Sequence, residues 1–446
     1  MSSEASNWLR DSITAKSLMI ALLILIMLIP TSMIRRLINE REITRDDVVN
    51  EISTKWGRQQ TLAGPVISIP YKAHYKRGDE IIERIGYAHF LPDTLQIDGN
   101  ISPEIRSRGI YNIIAYNSLL HFHASFDQID FSGLQIKPED VLWNENYVSI
   151  GITDMKGINE PIRIRANDQA LSVTPGTPLT DIVESGVNAR VHRLEENKRL
   201  EINFDLDFKG SEMLSFIPLG EKNEINISSS WGHPSFNGEF LPDKRKIDEN
   251  GFTAHWNILN LNRNYPQEWA NDDYDITRSA FGVRLLFPVD QYQMSYRSVK
   301  YAIMFLGLTF LVFFFSEILN KKRIHPIQYL LVGFALCLFY TLLVSLSEHV
   351  NFLVSYLVAA VSTILLITAY TSSFLKSARL TGIVALVLVV LYSFLYTILQ
   401  LQDYSLLFGS IGLFVTLAIV MYLSRNIEWN SSIKEPEGNP DKLSEP

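Results

Sequence analysis

The chain has 446 residues, of which 47% are hydrophobic and 20% are charged, and its net charge is −8. Intrinsic disorder requires low hydrophobicity and high charge, so this composition excludes a disordered chain. The 23 glycines and 18 prolines also exclude a collagen-like fibre. The mean hydropathy of +0.08 is too low for a chain that lies in a membrane throughout. We therefore expect a membrane part and a water-soluble part.

Six long apolar stretches predict six membrane-spanning helices, because about 17–25 apolar residues cross a bilayer. The stretches are residues 17–34, 301–319, 328–346, 352–371, 380–398 and 406–423. The first predicts an uncleaved anchor rather than a signal peptide, since no small-x-small cleavage motif follows it. Pro30 could kink this helix near its outer end.

Lysines and arginines in short loops predict the orientation of the spans. The loops between spans two and three and between spans four and five are basic, whereas the other two short loops contain no lysine or arginine. The tails, residues 1–16 and 424–446, are therefore predicted to be cytoplasmic, and residues 35–300 to be periplasmic. Four arginines between residues 35 and 45 oppose this orientation, but long domains cross membranes with little regard to charge.

The predicted outer domain, residues 35–300, carries 30 basic and 38 acidic residues, which accounts for the net charge of the chain. An acidic surface argues against nucleic-acid binding. Residues 36–55 continue the first span with helical spacing, and later segments such as 200–208 alternate apolar and polar residues, as half-buried strands do. We predict a β-rich, sandwich-like domain on a helical stalk. It would fold without disulfides, because the single cysteine, Cys337, lies in a span.

Metal and catalytic chemistry have weak signals in the sequence. The chain contains no His-Glu-x-x-His, Gly-x-Ser-x-Gly, P-loop or Cys-x-x-Cys motif. His121 and His123 lie two residues apart on a predicted strand, so they share a face and could begin a zinc site if a third ligand came from elsewhere. The alternative is a pair of exposed or hydrogen-bonded histidines. The sequence predicts no cofactor, no metal and no enzyme activity.

The segment 231–243 is rich in aromatic residues, glycine and proline, and is the candidate binding loop. Its candidate residues are His233, Ser235, Phe236 and Asp243. It could equally be a packed turn between strands, stiffened by its two prolines. A catalytic triad here is not expected, because triad members usually come from separate segments.

Three long stretches of the sequence, 34–70, 233–256 and 290–349, resemble the CreD-like inner-membrane proteins. They include Ile-Arg-Arg-Leu-Ile-Asn-Glu-Arg from residue 34, His-Pro-Ser-Phe-Asn-Gly-Glu-Phe-Leu-Pro-Asp-Lys-Arg from residue 233, and His-Pro-Ile-Gln-Tyr-Leu-Leu-Val-Gly from residue 325. The resemblance implies a bacterial inner-membrane protein that affects envelope integrity and colicin tolerance. It also implies expression under a two-component system and, in some bacteria, under β-lactam stress. It implies no catalytic residue.

The leading hypothesis is a non-enzymatic envelope protein whose periplasmic domain binds an envelope protein or another envelope component. Its expected partners also include the lipid bilayer and a second copy of the chain. One alternative is a transporter of a lipid or small molecule, since apolar cargo needs no charge within the spans, and mid-depth positions hold none. Two others are a ligand sensor that works through a partner protein and a periplasmic enzyme.

Overall fold

The computed structural model describes residues 13–425 apart from short gaps, which are residues 78–79, 178–184, 192–193, 195–197, 271–273, 289, 321–323 and 402–403. The outer parts of both predicted tails and the basic loop residues 321–323 lie outside the described residues. Contacts divide the chain into two compact units. One is Thr44–Pro288, and the other combines the segments before and after it.

The first unit, Thr44–Pro288, is built from β-strands. They are β1 (Gln60–Arg77), β2 (Glu80–Phe90), β3 (Thr94–Arg108), β4 (Tyr111–Phe126), β5 (Tyr147–Ile152), β6 (Arg163–Ala166), β7 (Gln169–Ala170), β8 (Val173–Pro175), β9 (Gly186–Ala189), β10 (Leu200–Ser211), β11 (Met213–Phe216), β12 (Lys222–Ser229), β13 (Pro234–Gly238), β14 (Lys244–Asp248), β15 (Gly251–Leu259), β16 (Glu268–Ala270) and β17 (Phe281–Leu285). The prediction of a large β-rich domain is confirmed.

These strands form two sheets. The nine-stranded sheet runs β13-β17-β11-β1-β5-β9-β8, with β2 beside β1 and β16 beside β2, and the eight-stranded sheet runs β14-β15-β12-β3-β4-β10-β6-β7. Buried side chains of both sheets form one hydrophobic core. Across it, the ring of Trp256 on β15 lies 5.5 Å from that of Phe281 on β17. The hydroxyl of Tyr116 on β4 donates to the carbonyl of Met213 on β11 at 2.9 Å. This is the arrangement of a β-sandwich.

The second unit is helical. Its helices are α1 (Ile13–Trp56), which continues into the first unit, α2 (Gln291–Lys300), α3 (Ala302–Leu319), α4 (Pro326–Ser347), α5 (Phe352–Leu375), α6 (Ala378–Gln400) and α7 (Ser405–Ser424). Pro30 lies inside the continuous helix α1. Asp290 caps α2, since its carboxylate accepts from the amides of Tyr292 and Gln293 at 3.0 Å each.

Four of the described helices, α1, α4, α5 and α6, are long and apolar enough to cross a membrane. The pair α2 and α3 becomes a fifth candidate if it counts as one span, although it is bent by 45° between Lys300 and Ala302. The apolar helix Leu406–Tyr422 is shorter. The structure therefore contains an N-terminal apolar helix and a C-terminal bundle with three to four apolar helices, and the count of six spans stays a prediction.

Candidate functional site

The outer face of the eight-stranded sheet carries a row of polar side chains that crosses seven strands. Strand register aligns them as Lys244, His255, Asn226, Asp98, His121, Asp205 and Arg163. We call these residues the polar row. Their positions alternate with buried ones, such as Ile97 and Ile225, because successive side chains of a strand point to opposite faces. The sequence pattern predicts each polar face but cannot align seven strands.

Hydrogen bonds connect neighbours in the polar row. His255 Nδ1 lies 2.7 Å from the Asn226 side-chain oxygen, which can only accept, so the imidazole is the donor. The Asn226 amide in turn donates to Asp98 at 2.8 Å. His121 Nδ1 lies 2.6 Å from a carboxylate oxygen of Asp205. The row is therefore an ordered surface in which amide and imidazole groups are held in fixed orientations.

His121 and His123 do share a face, and each bonds to the adjacent strand β10. His121 contacts Asp205, and His123 Nδ1 lies 2.6 Å from the side-chain oxygen of Asn203. Within the part of the chain that the structure describes, no group of three His, Cys, Asp or Glu residues could hold a metal ion. The pair thus has the hydrogen-bonded arrangement that was the alternative to a zinc site.

An open groove of about 540 Å³ lies at the β14 end of the polar row. Its lining residues are Asp98, Gly99, Asn226, Ile227, Ser228, Lys244, Arg245, Lys246, Thr253, Ala254 and His255. The volume falls within the range of about 300–1,000 Å³ that is usual for small-molecule sites. Among the described residues this groove is a candidate site, and the sequence contained one hint of it, the basic run 244–246.

The residues of the predicted binding loop come just before groove residues 244–246 in the sequence, but they do not line the groove. Phe236, on β13, packs in the sandwich with its ring 5.8 Å from that of Trp256. Ser235 lies on the same strand of the nine-stranded sheet, preceded by the exposed His233. The Asp243 carboxylate accepts from the amide of Asn257, on β15 of the eight-stranded sheet, at 2.7 Å. His233, Ser235 and Phe236 thus lie with the nine-stranded sheet and Asp243 bonds to the eight-stranded sheet, and a binding role for these residues stays a prediction.

A smaller recess of about 320 Å³ is lined by the end of α1 and by β3, through Ile52, Lys55, Trp56, Arg106 and Arg108. The Arg106 guanidinium lies 3.3 Å from the centroid of the Trp56 ring, a cation–π contact. Glu51 bonds to both Arg108 and Lys55, and these cations lower the pKa of Glu51 to about 2. Because its cations are already engaged, this recess fastens a helix to a sheet.

Two ion pairs fasten α1 to the other helices. Lys16 lies 3.0 Å from a carboxylate oxygen of Glu317 on α3, which is 4% exposed and also accepts from the Tyr329 hydroxyl. Arg41 lies 3.9 Å from Glu348, just beyond α4. The sequence placed both carboxylates near the ends of their spans but carried no signal of their partners, which are about 300 residues away in the chain.

Comparison with known proteins gives the family. A family model described as inner membrane protein CreD matches residues 12–430. The chain belongs to the CreD family. The inner membrane protein CreD of Escherichia coli (strain K12) is 36% identical to it over 415 residues, which cover 91% of each chain. The resemblance noted from the sequence is confirmed, and membership of the CreD family makes this a membrane protein with several apolar helices.

Proposed function

We propose that this CreD family protein maintains the integrity of the bacterial envelope and tolerance to colicins. It would cross the inner membrane six times, with both termini in the cytoplasm and the β-sandwich in the periplasm, and would act by binding an envelope protein or another envelope component. The observation that carries this proposal is the ordered polar face of the sandwich, which offers many hydrogen-bonding groups in fixed positions. The family match supports the membrane setting.

Binding fits the described side chains better than catalysis does. The His121–Asp205 pair has the hydrogen bond that orients a general base, but its side chains are 58% and 72% exposed, on an open sheet face rather than in a site that excludes water. The predicted loop offers two acid–base candidates, His233 and Asp243. The His233 carbonyl accepts from the amide of Leu286, just after β17 of the nine-stranded sheet, whereas the Asp243 carboxylate bonds to the eight-stranded sheet. A general base needs to lie within hydrogen-bonding reach of the group it activates, together with its orienting partner. We therefore propose a non-enzymatic role.

Transport through the bundle is less well supported, because aromatic side chains fill its centre. The ring of Phe339 lies 4.7 Å from that of Tyr392 and 5.5 Å from that of Tyr356. The Tyr356 hydroxyl donates to the backbone carbonyl of Tyr392 at 2.6 Å, which joins α5 to α6. Rings at these separations are in direct contact. A path for cargo would have to displace them.

Deletion and complementation test the proposed role. A strain without the gene should show altered sensitivity to detergent, colicin or cell-wall antibiotics, and the wild-type gene on a plasmid should restore the parental response. Capture of partners by crosslinking in living cells, with mass spectrometry, would then identify what the sandwich touches. An unchanged response to all three agents would contradict the proposal.

Cysteine labelling tests the proposed orientation separately. The native Cys337 is buried, so it contributes little background. Asn250→Cys, in the exposed turn between β14 and β15, should react with a membrane-impermeant maleimide in spheroplasts. Ala378→Cys, at the exposed start of α6, should react only after the membrane is opened. The reverse pattern would show that the sandwich is cytoplasmic.

A further inference from the structure

Strand β14 concentrates positive charge in a domain that is acidic overall. Residues 35–300 contain 38 acidic and 30 basic residues, yet β14 begins with three consecutive cations, Lys244, Arg245 and Lys246. Every residue of this strand is exposed, and it is the last strand of its sheet. Lys244 and Lys246 lie on the groove side, because alternate residues share a face. The Arg245 guanidinium lies 6.0 Å from the ring of Phe236.

Two rows of polar side chains form the floor of the groove. Strand register aligns Lys244 with His255, Asn226 and Asp98, and aligns Lys246 with Thr253 and Ser228. Asn100 follows Ser228 in the second row, outside the groove lining. The hydroxyl and amide groups of the second row are also ordered, since the Asn100 amide donates to Ser228 at 3.1 Å. The floor thus presents amides, hydroxyls and an imidazole, with cations at one end and the Asp98 carboxylate at the other.

This arrangement selects a chemical class of ligand. A floor of polar side chains pairs well with hydroxyl groups and poorly with acyl chains, because unpaired polar groups are costly to cover. Lys246 lies 3.5 Å from Asp248, but it is 79% exposed and can exchange this surface partner, so the two lysines favour an acid group at their end of the groove. Asp98 repels an acid group at the far end. We propose that the groove binds an acidic glycan, with its carboxylate at Lys244 and Lys246 and its hydroxyls over Asn226 and Ser228.

This inference rests on the proposed function, since it names the class of envelope component that the sandwich would bind. In the periplasm, cell-wall glycan strands that carry stem peptides present peptide carboxylates beside sugar hydroxyls, whereas acidic secreted polysaccharides carry the carboxylate on the sugar itself. The full-length protein in detergent should be titrated by calorimetry with a cell-wall disaccharide–tetrapeptide and with tetragalacturonate. Chitobiose, a neutral disaccharide, and the free tetrapeptide serve as comparison ligands.

Substitutions of the lysines and of Asp98 should change the affinity for the acidic glycan in opposite directions. Lys244→Gln/Lys246→Gln should weaken binding of the acidic glycan about tenfold, since two partly exposed charge contacts are lost. Lys244→Arg/Lys246→Arg should keep it, and Asp98→Asn should strengthen it by removing the repulsion. Lys137→Gln is the matched control, because Lys137 is an exposed lysine outside the groove. Melting temperatures establish that each variant is folded.

Binding of at least one acidic glycan, lost in the lysine-to-glutamine variant and absent for both comparison ligands, would support the proposal. Which of the two glycans binds would identify the source. Absence of binding, equal binding of chitobiose or the tetrapeptide, or equal loss in Lys137→Gln would overturn it. The proposed envelope role is tested separately, since deletion phenotypes restored by the wild-type gene would stand even if the groove bound no glycan.

Discussion

The substitution Arg263→Met offers a strong test of how the sandwich is held together. Arg263 lies in the loop after β15 and is 8% exposed, and its hydrogen-bond acceptors among the described residues are backbone carbonyls and an amide oxygen. Its guanidinium donates to the carbonyl of Leu219 at 3.1 Å, to the carbonyl of Tyr265 and to the side-chain oxygen of Gln267. Burial lowers the pKa of Arg263 from its ordinary value. One cation thus joins two loops through neutral acceptors.

The size of the stability loss follows from the buried acceptors that the substitution leaves without a donor. Methionine fills similar space but donates no hydrogen bond, so the buried carbonyl of Tyr265 loses its charged donor, whereas the carbonyl of Leu219 keeps the side-chain amide of Gln267 at 3.3 Å. Each buried unsatisfied group costs about 1–3 kcal/mol. The loss is partly offset, because a buried cation no longer has to be desolvated. We expect a net destabilisation of about 1.5–3 kcal/mol, which lowers the melting temperature of a domain of this size by about 3–12 °C.

Thermal unfolding of the full-length protein in detergent, followed by circular dichroism at a strand-sensitive wavelength, measures this shift. Arg278→Met is the matched control, because Arg278 is 87% exposed and pairs with Asp275 at the surface. Such exposed pairs contribute about 0–1 kcal/mol. If Arg263→Met melted within 2 °C of Arg278→Met, about the scale of a surface change, the reasoning would be refuted.

Three further predictions concern the ends of α1 and the packing of α4. The pKa of Glu51 is lowered from 4.5 to about 2, so its ion pairs stabilise the fold above pH 4.5 and are lost as the pH falls towards 2. Glu51→Gln should therefore reduce the acid-induced fall in melting temperature between these two pH values. Gly333→Val should reduce the free energy of unfolding by about 1–3 kcal/mol, because its Cβ would lie 2.8 Å from a sulfur of α1 and overpack this contact. Gly382→Val is the control, since its Cβ would have no atom within 4 Å, and a thermal aggregation assay should show a loss for Gly333→Val alone. Lys16→Met should lower the temperature of thermal aggregation, because it leaves the buried Glu317 without its cation. The double variant Lys16→Met/Glu317→Met should recover most of this loss. Equal losses in the single and double variants would contradict the ion pair.

The alternation of residues in the sequence was enough to predict some of the strands, such as the segment 200–208, and their buried faces. In β10, Leu200, Phe204 and Phe208 are buried as the period of two requires. The polar row was beyond such reasoning, because it depends on the register between strands, and a slip of one residue would move every side chain to the other face. Register also decides the neighbours of the two histidines, since it aligns His121 with Asp98 and Asp205, and His123 with Gln96 and Asn203. Asp205 and Asn203 each bond one imidazole.

Phe236 illustrates a different limit of the sequence. Within the segment 231–243 it had the composition of a binding loop, since aromatic residues and prolines are common both in recognition loops and in rigid turns. The structure places its ring against Phe252 and Trp256, in the core between the sheets. The decisive information was which sheet each end of the segment joins, and local composition does not contain it.

The two ion pairs of α1 bear on how this helix lies in a bilayer. Lys16 and Arg41 are 25 residues apart (41 − 16), which is about 38 Å along a helix, and the hydrocarbon layer is about 30 Å thick. Between Lys16 and the exposed Arg36 the helix carries no charge except that of Arg35, so about 30 Å of apolar surface lies between charged ends. Glu317 and Glu348 lie near the C-terminal ends of the consecutive helices α3 and α4 and pair with cations on either side of the apolar part of α1. Reversing α1 in the bundle would separate both carboxylates from these cations, so the two pairs favour the observed direction of α1 relative to α3 and α4.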